Sequence, residues 1–250
     1  MTPLHWFGFS TDATLPGARC LRALSLPAAI MGLGLAAAAP AHAAVISPTA
    51  DGNVNDQNVE DGLGDEVVTV AMAVGDFETT NEAADRVQRG ILIFTLPTLG
   101  PGETVDSAVL SVRLNSIQGT PAGDVSVYSL TASNGDSLQA SQYQAAGTRI
   151  GTLVTPTSAG STFYDIDVTT AVATDYAVDP AGNQRSTFRL QIDGLLAADD
   201  DNGSDRYSFA ASSAAAVNAP FLTVTTVPEP GSLSLIGLGV VALAARRRGA

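Results

Sequence analysis

The chain is poor in the residues that most often cross-link or catalyse. Of its 250 residues, one is cysteine, one tryptophan and two histidine, and there is no lysine. Cys20, Trp6, His5 and His42 all fall within the first 43 positions. From Ala44 onward there is no disulfide, imidazole or thiol. That excludes Ser-His-Asp, Cys-His and Schiff-base catalysis there, and also a zinc site built on nitrogen and sulfur ligands. A core without cross-links must be held by sheet packing alone, or by a metal. Extracellular proteins often carry disulfides but do not require them.

Positive charge is scarce as well. Across the 183 residues from Ala44 to Thr226, 7 arginines stand against 23 aspartates and glutamates, a net charge of −16. Such a surface repels phosphate backbones, which argues against a nucleic-acid partner. It favours solubility and offers oxygen ligands to hard cations, so Ca²⁺ is the one cofactor the composition suggests. The length suits a single domain with a real core.

Residues 1–43 have the order of a secretory signal peptide. Arg19 and Arg22 supply the basic region, and an apolar core runs from Leu24 to Ala39. Ala41-His42-Ala43 places small residues where signal peptidase needs them, making Ala44 the expected mature start. Cys20 precedes the apolar core, which argues against a lipoprotein anchor.

Residues 44–226 read as one domain of short strands. Period-two alternation places Ala108, Leu110, Val112 and Leu114 on one face, and likewise Val68, Val70, Met72 and Val74. Phe188, Leu190 and Ile192 alternate in the same way, as do Tyr164, Ile166 and Val168. Further short candidates bring the expected number to about nine. Gly100-Pro101-Gly102, Asn134-Gly135-Asp136 and Asn202-Gly203 supply turns. Val168 to Ala177 is the only helical stretch, with Thr169 or Thr170 as its expected cap. The pattern predicts an all-β fold, a two-sheet antiparallel β-sandwich of jelly-roll type.

Two carboxylates on one strand face, Asp165 and Asp167, have a spacing compatible with glycoside hydrolysis. They are equally the mark of a solvated acidic strand. Tyr164 and Tyr207 are conceivable lyase bases, although alternation turns both rings inward. For calcium, Asp199, Asp201 and Asp205 crowd into one expected loop, where a cation would relieve their repulsion. Asp51-Gly52-Asn53-Val54-Asn55-Asp56 resembles the start of an EF-hand loop but departs from it at the glycine position. For a glycan, Tyr128 and Phe163 are candidate stacking rings. Arg89, Arg113, Arg149 and Arg189 are candidate donors to the carboxylate of an acidic polysaccharide, with Arg113 and Arg189 on the outward phase of their strands.

The last 24 residues, 227–250, have three parts in order. Pro228-Glu229-Pro230 lacks two backbone donors and is not expected to join a sheet or helix. Leu233 to Ala245 is apolar except for Ser234, and as a helix would reach about 20 Å, short of the roughly 30 Å hydrocarbon core. Arg246, Arg247 and Arg248 would hold its end on the cytoplasmic side. This tail resembles the PEP-CTERM sorting signal of Gram-negative bacteria. The resemblance implies transient anchoring in the inner membrane, recognition of Pro228, Glu229 and Pro230 by a membrane-embedded exosortase, and delivery to the cell surface or extracellular matrix.

A second resemblance covers much of residues 44–226. Arg89 to Leu96 with Val105 to Val112, and Tyr207 to Ser212 with Ala219 to Val224, are similar to the early and closing strands of the DNRLRE-type domain, itself similar to alginate-binding modules. The name-giving hexapeptide is absent. The resemblance implies a jelly-roll sandwich on extracellular proteins, often an accessory module; with the usual catalytic residues missing, the expected role is structural or glycan-binding and not enzymatic. The alternative is a small polysaccharide lyase or glycosidase.

Overall fold

The computed structural model describes residues 41–57, 62–78, 86–130, 137–178, 184–194 and 204–229. Twelve strands follow in chain order: β1 (His42–Ile46), β2 (Ala50–Gln57), β3 (Glu66–Val68), β4 (Met72–Phe77), β5 (Arg86–Thr95), β6 (Glu103–Gln118), β7 (Val125–Leu130), β8 (Gly147–Val154), β9 (Thr162–Asp167), β10 (Arg185–Ile192), β11 (Arg206–Phe209) and β12 (Phe221–Pro228). Among the described residues one α-helix, α1 (Thr169–Val178), lies between β9 and β10, and a 3-10 turn spans Ala140–Gln142. The all-β expectation stands. The strands join in one hydrogen-bonded antiparallel path, β1-β12-β6-β11-β4-β5-β10-β7-β8, with β2 and β3 branching from β5 and β9 from β6. The described strands therefore link into one continuous antiparallel sheet curled around its core.

The alternating positions fill the main core as expected. Ala108, Leu110, Val112 and Leu114 are fully buried, and Phe188, Leu190, Tyr207, Leu222 and Val224 close around them. Each fully buried large side chain contributes about 1.5–3 kcal/mol, enough in sum to hold a core without cross-links. The run Ile91-Leu92-Ile93-Phe94 does not alternate, and the reason is visible. Leu92 and Phe94 face the main core, while Ile91 and Ile93 join Val54, Val87, Leu130 and Tyr143 in a second cluster on the opposite face. A strand covered on both sides reads as a continuous apolar run.

Several local expectations need correction. Val68 to Val74 is two strands, β3 and β4, with Val70 78 % exposed at the bend between them. Asp51 to Asp56 is strand β2, paired along its length with β5, and not an ion-binding loop. Its polar side chains serve the fold: Asp51 accepts from Ser212 N at 2.6 Å, and Asn53 Oδ1 accepts from Ala73 N at 2.5 Å. Helix α1 is capped from outside by Asp167, whose Oδ1 accepts the Thr169 amide at 2.9 Å and its hydroxyl at 2.6 Å. These bonds hold the Asp167 carboxyl below the usual carboxylate range.

Candidate functional site

Two places in the sheet hold candidate functional residues: the corner formed by β1, β12 and β6, and the outer side of β7, β8 and β10. At the corner, β12 lies between β1 and β6. Leu222, Val224 and Thr226 point inward and are buried. On one side His42 pairs with Thr226, Ala43 with Thr225 and Ala44 with Val224. On the other, β12 follows β6 until the register shifts between Thr225 and Thr226. Beyond that bulge Thr226 faces Val105, Val227 faces Thr104 and Pro228 faces Glu103.

Pro228 is therefore a strand residue, against the expectation that the tripeptide stays outside the sheet. The Glu229 amide donates to Gly102 O at 2.5 Å, toward β6. Successive amides of a strand point to opposite sides, so the Pro228 nitrogen faces the other way, where β1 reaches no further than Thr226. A missing donor is tolerated on such an open edge. The expected cleavage residues also lie close by: Ala41 just precedes β1, and Ala43 and Ala44 are inside it. Pro230, Arg246, Arg247 and Arg248 lie outside the described residues, as does the apolar run Leu233 to Ala245. Among the described residues no helix is long and apolar enough to cross a membrane.

The second place gathers polar groups around Asp193, just past β10. Tyr128 Oη donates to Asp193 Oδ1 at 2.6 Å, Ser126 Oγ to Oδ2 at 2.8 Å, and Arg149 Nε to Oδ2 at 2.9 Å. Arg149 also reaches Ser126 and Thr152. Burial alone would raise the Asp193 carboxyl, but the bonds from Tyr128, Ser126 and Arg149, with the guanidinium charge, outweigh it and hold it low. The Tyr128 phenol is pushed up, by burial first and then by its bond to Asp193. Asp193 and Arg149 are exposed and Tyr128 half-buried, so hydroxyl, carboxylate and guanidinium are all within reach of a polar ligand.

Arg189 belongs elsewhere. Its guanidinium lies 5.5 Å from the Tyr128 ring centroid, as the cross-strand pairing of the two residues requires. The side chain is only 6 % exposed, however, and Nη1 donates to the carbonyls of Gln142, Tyr143 and Ala145. Burial, and next the nearby Arg89, push its pKa down to about 10, and it remains charged at neutral pH. Arg189 is a clamp on the 142–145 segment, not an outward donor. Arg89 does the same, with Nη1 on Tyr143 O at 2.5 Å and its guanidinium 3.8 Å from the Tyr143 ring centroid. Arg113 does lie on the opposite, outer side, half-buried, with Nη1 on Asn115 Oδ1 at 2.8 Å. The structure thus brings Tyr128 and Arg189 together and leaves Arg113 apart.

The remaining candidates have structural partners. Asp165 accepts from Ser111 Oγ at 2.6 Å, and Asp167 caps α1. Tyr164 Oη donates to Ala159 O, and Tyr207 Oη to Gly123 O at 2.7 Å. Burial pushes the Tyr207 phenol up to about 12, so it stays protonated at neutral pH and is not available to accept a proton. Phe163 leans on Phe221 at 5.6 Å between centroids. Asp199 and Asp201 lie outside the described residues. Asp205 Oδ1 accepts from Thr120 N at 2.6 Å, in a turn where a Cβ at Gly119 would stand 1.7 Å from that oxygen. Among the described residues no three acidic, histidine or cysteine side chains converge on a metal position. Ser126, Thr152 and Asp193 were not singled out by alternation. The available signal was Ile192-Asp193-Gly194, a turn sequence closing a strand.

Comparison with family models settles the tail. Residues 226–248 match the PEP-CTERM protein-sorting motif. This chain carries a sorting signal read by an exosortase, and is exported to the Gram-negative cell envelope or surface. The motif begins inside β12, not after it. A comparison with curated proteins returned no match.

Proposed function

We propose that the chain is a non-catalytic component of the cell surface or extracellular polysaccharide matrix, released there after its tail is removed. Its core is a jelly-roll module of DNRLRE type, and the Tyr128–Arg149–Asp193 patch is its contact with acidic polysaccharide. The observation that carries this reading is the direct join between the sorting motif and a single β-sheet core, with no further catalytic unit between them among the described residues. The patch supports the ligand class. A guanidinium offers donors to a uronate carboxylate, while the exposed Asp193 and Thr152 and the half-buried Tyr128 offer partners to sugar hydroxyls.

The test is titration of the processed protein with alginate, pectin and a neutral glucan, by calorimetry and on a glycan array. Binding to an acidic polymer that is lost in Arg149→Ala supports the reading. No binding to any polymer removes the glycan half and leaves a structural role. Release of reducing ends or unsaturated products would overturn the non-catalytic assignment.

A further inference from the structure

The sorting motif begins inside a strand, and that has a mechanical consequence. An enzyme that reads an extended segment needs its backbone groups and both flanks free. Here the backbone leading into the tripeptide is already bonded: Val227 faces Thr104, Pro228 faces Glu103, and Glu229 N donates to Gly102 O. There is no spacer to bridge the gap. From Pro228 to the apolar run at Leu233 is five residue steps, at most about 18 Å of extended chain. The folded core would stand against the membrane with the tripeptide still tethered to β6.

The same strand end is built to come away. The register shift between Thr225 and Thr226 separates it from the main ladder. Before the shift, Leu222 and Val224 are fully buried, whereas after it only Thr226 is buried; Val227 and Pro228 are half-buried and Glu229 is exposed. A cavity of about 270 Å³ adjoins the segment, lined by His42, Ala44, Leu99, Glu103, Val224 and Thr226 among others. On the β1 side its cover is only His42 and Ala43, opposite Thr226 and Thr225. Both precede the expected cut at Ala44 and would leave with the signal peptide.

We propose that residues 226–229 are a detachable latch: exosortase gains the tripeptide only when this segment peels from β6 at the Thr225/Thr226 bulge, while Phe221–Thr225 stays in the sheet. The proposal rests on the sorting reading and adds a structural gate to it. Signal-peptide removal, by stripping His42 and Ala43 from the β12 edge, leaves β6 as the latch's sole strand partner. Sorting is thereby linked to prior processing at the other end.

The test uses the chain after signal-peptide removal, beginning at Ala44, in which the introduced cysteines are the only thiols because Cys20 has left with the signal peptide. Thr104→Cys with Val227→Cys ties the latch to β6, and Val109→Cys with Thr223→Cys ties β12 above the bulge. Directly opposed residues of an antiparallel pair lie at disulfide distance. Each oxidised protein is reconstituted in liposomes with the exosortase, and tail removal is followed by intact mass. Removal is expected from the wild-type chain and from the upper cross-link. The lower cross-link should block it, and reductant should restore it. A Gly-Ser linker inserted between Val227 and Pro228 should rescue cleavage despite the lower cross-link. Efficient tail removal from the oxidised lower cross-link would overturn the latch while leaving the sorting reading intact. A wild-type chain left uncut would overturn the sorting reading and the latch with it. Where the lower disulfide fails to form, the linker insert alone decides: faster removal supports the latch, and an unchanged rate overturns it.

Discussion

The two outer faces of the sheet are made from similar strands and meet different fates. Behind β2, β5, β10 and β7, the segment around Tyr143 folds over the sheet, and Ile91, Ile93, Val54 and Leu130 become a second core sealed by Arg89 and Arg189. Behind β12, β6 and β9, no second cluster of that kind forms among the described residues. Asp165, Asp167, Phe163, Phe221 and Arg113 lie there exposed or half-buried, and Val45 of β1 is 70 % exposed. An outward phase along a strand therefore does not establish exposure. What decides it is whether a distant loop returns to cover that face.

The largest expected effect comes from removing the clamp on the covered face. Arg189→Ala leaves the carbonyls of Gln142 and Ala145 short of a donor, while Tyr143 O keeps Arg89, and with the lost packing should destabilise the core by about 3 kcal/mol. In a domain of this size that lowers Tm by roughly 6–12 °C. Arg113→Ala, on the open face, should cost less than about 0.5 kcal/mol. Equal losses in thermal melts would erase the distinction between the faces.

A smaller contrast separates two aspartates by pH. Asp175, in α1, is pushed up to about 6 by burial, against the opposing bond from Ser186 Oγ at 2.5 Å. Its folded-state pKa lies above the unfolded value of about 3.9, so the native state binds the proton more tightly. Stability should rise as pH falls from about 6 to 4, by roughly 1–2 kcal/mol after discounting for partial exposure. Asp175→Asn should remove that rise in urea titrations across this range. Asp193 has the opposite sign: its carboxyl is held low, so its contribution is present above the unfolded pKa and lost as pH falls through the folded one.

Smaller still are the polar contacts of the patch itself. Tyr128→Phe removes one hydrogen bond to Asp193 and should cost about 0.5–1 kcal/mol. A double-mutant cycle on Arg149 and Asp193, an exposed pair at 2.9 Å, should give a coupling below about 1 kcal/mol. A coupling several times larger would make this pair part of the scaffold instead of a solvent-facing contact.

Alternation made the main core legible: Ala108 to Leu114 and Phe188 to Ile192 face where their period puts them. Continuous burial on both faces also left a mark, in Ile91 to Phe94. Strand β2 was hidden because Asp51, Asn53 and Asn55 are side chains typical of loops. Only the distant partners Ser212, Ala73 and Glu66 make them tolerable inside a sheet. The role of Arg189 was hidden for a related reason, since its partners lie 44 to 47 residues away. The sorting tail was legible through its resemblance to a sorting signal, because the parts that carry the resemblance are local and ordered along the chain. Its entry into β12 was not, because a proline pair argues against a sheet unless the strand's free edge is known.

The most direct measurement is the intact mass of protein recovered from the cell surface or medium. The expected product begins at Ala44 and has lost the apolar run together with Arg246, Arg247 and Arg248. A recovered product that still carries the three arginines would contradict exosortase release, and a protein found only in the cytosol would contradict the placement of this sheet outside the cell.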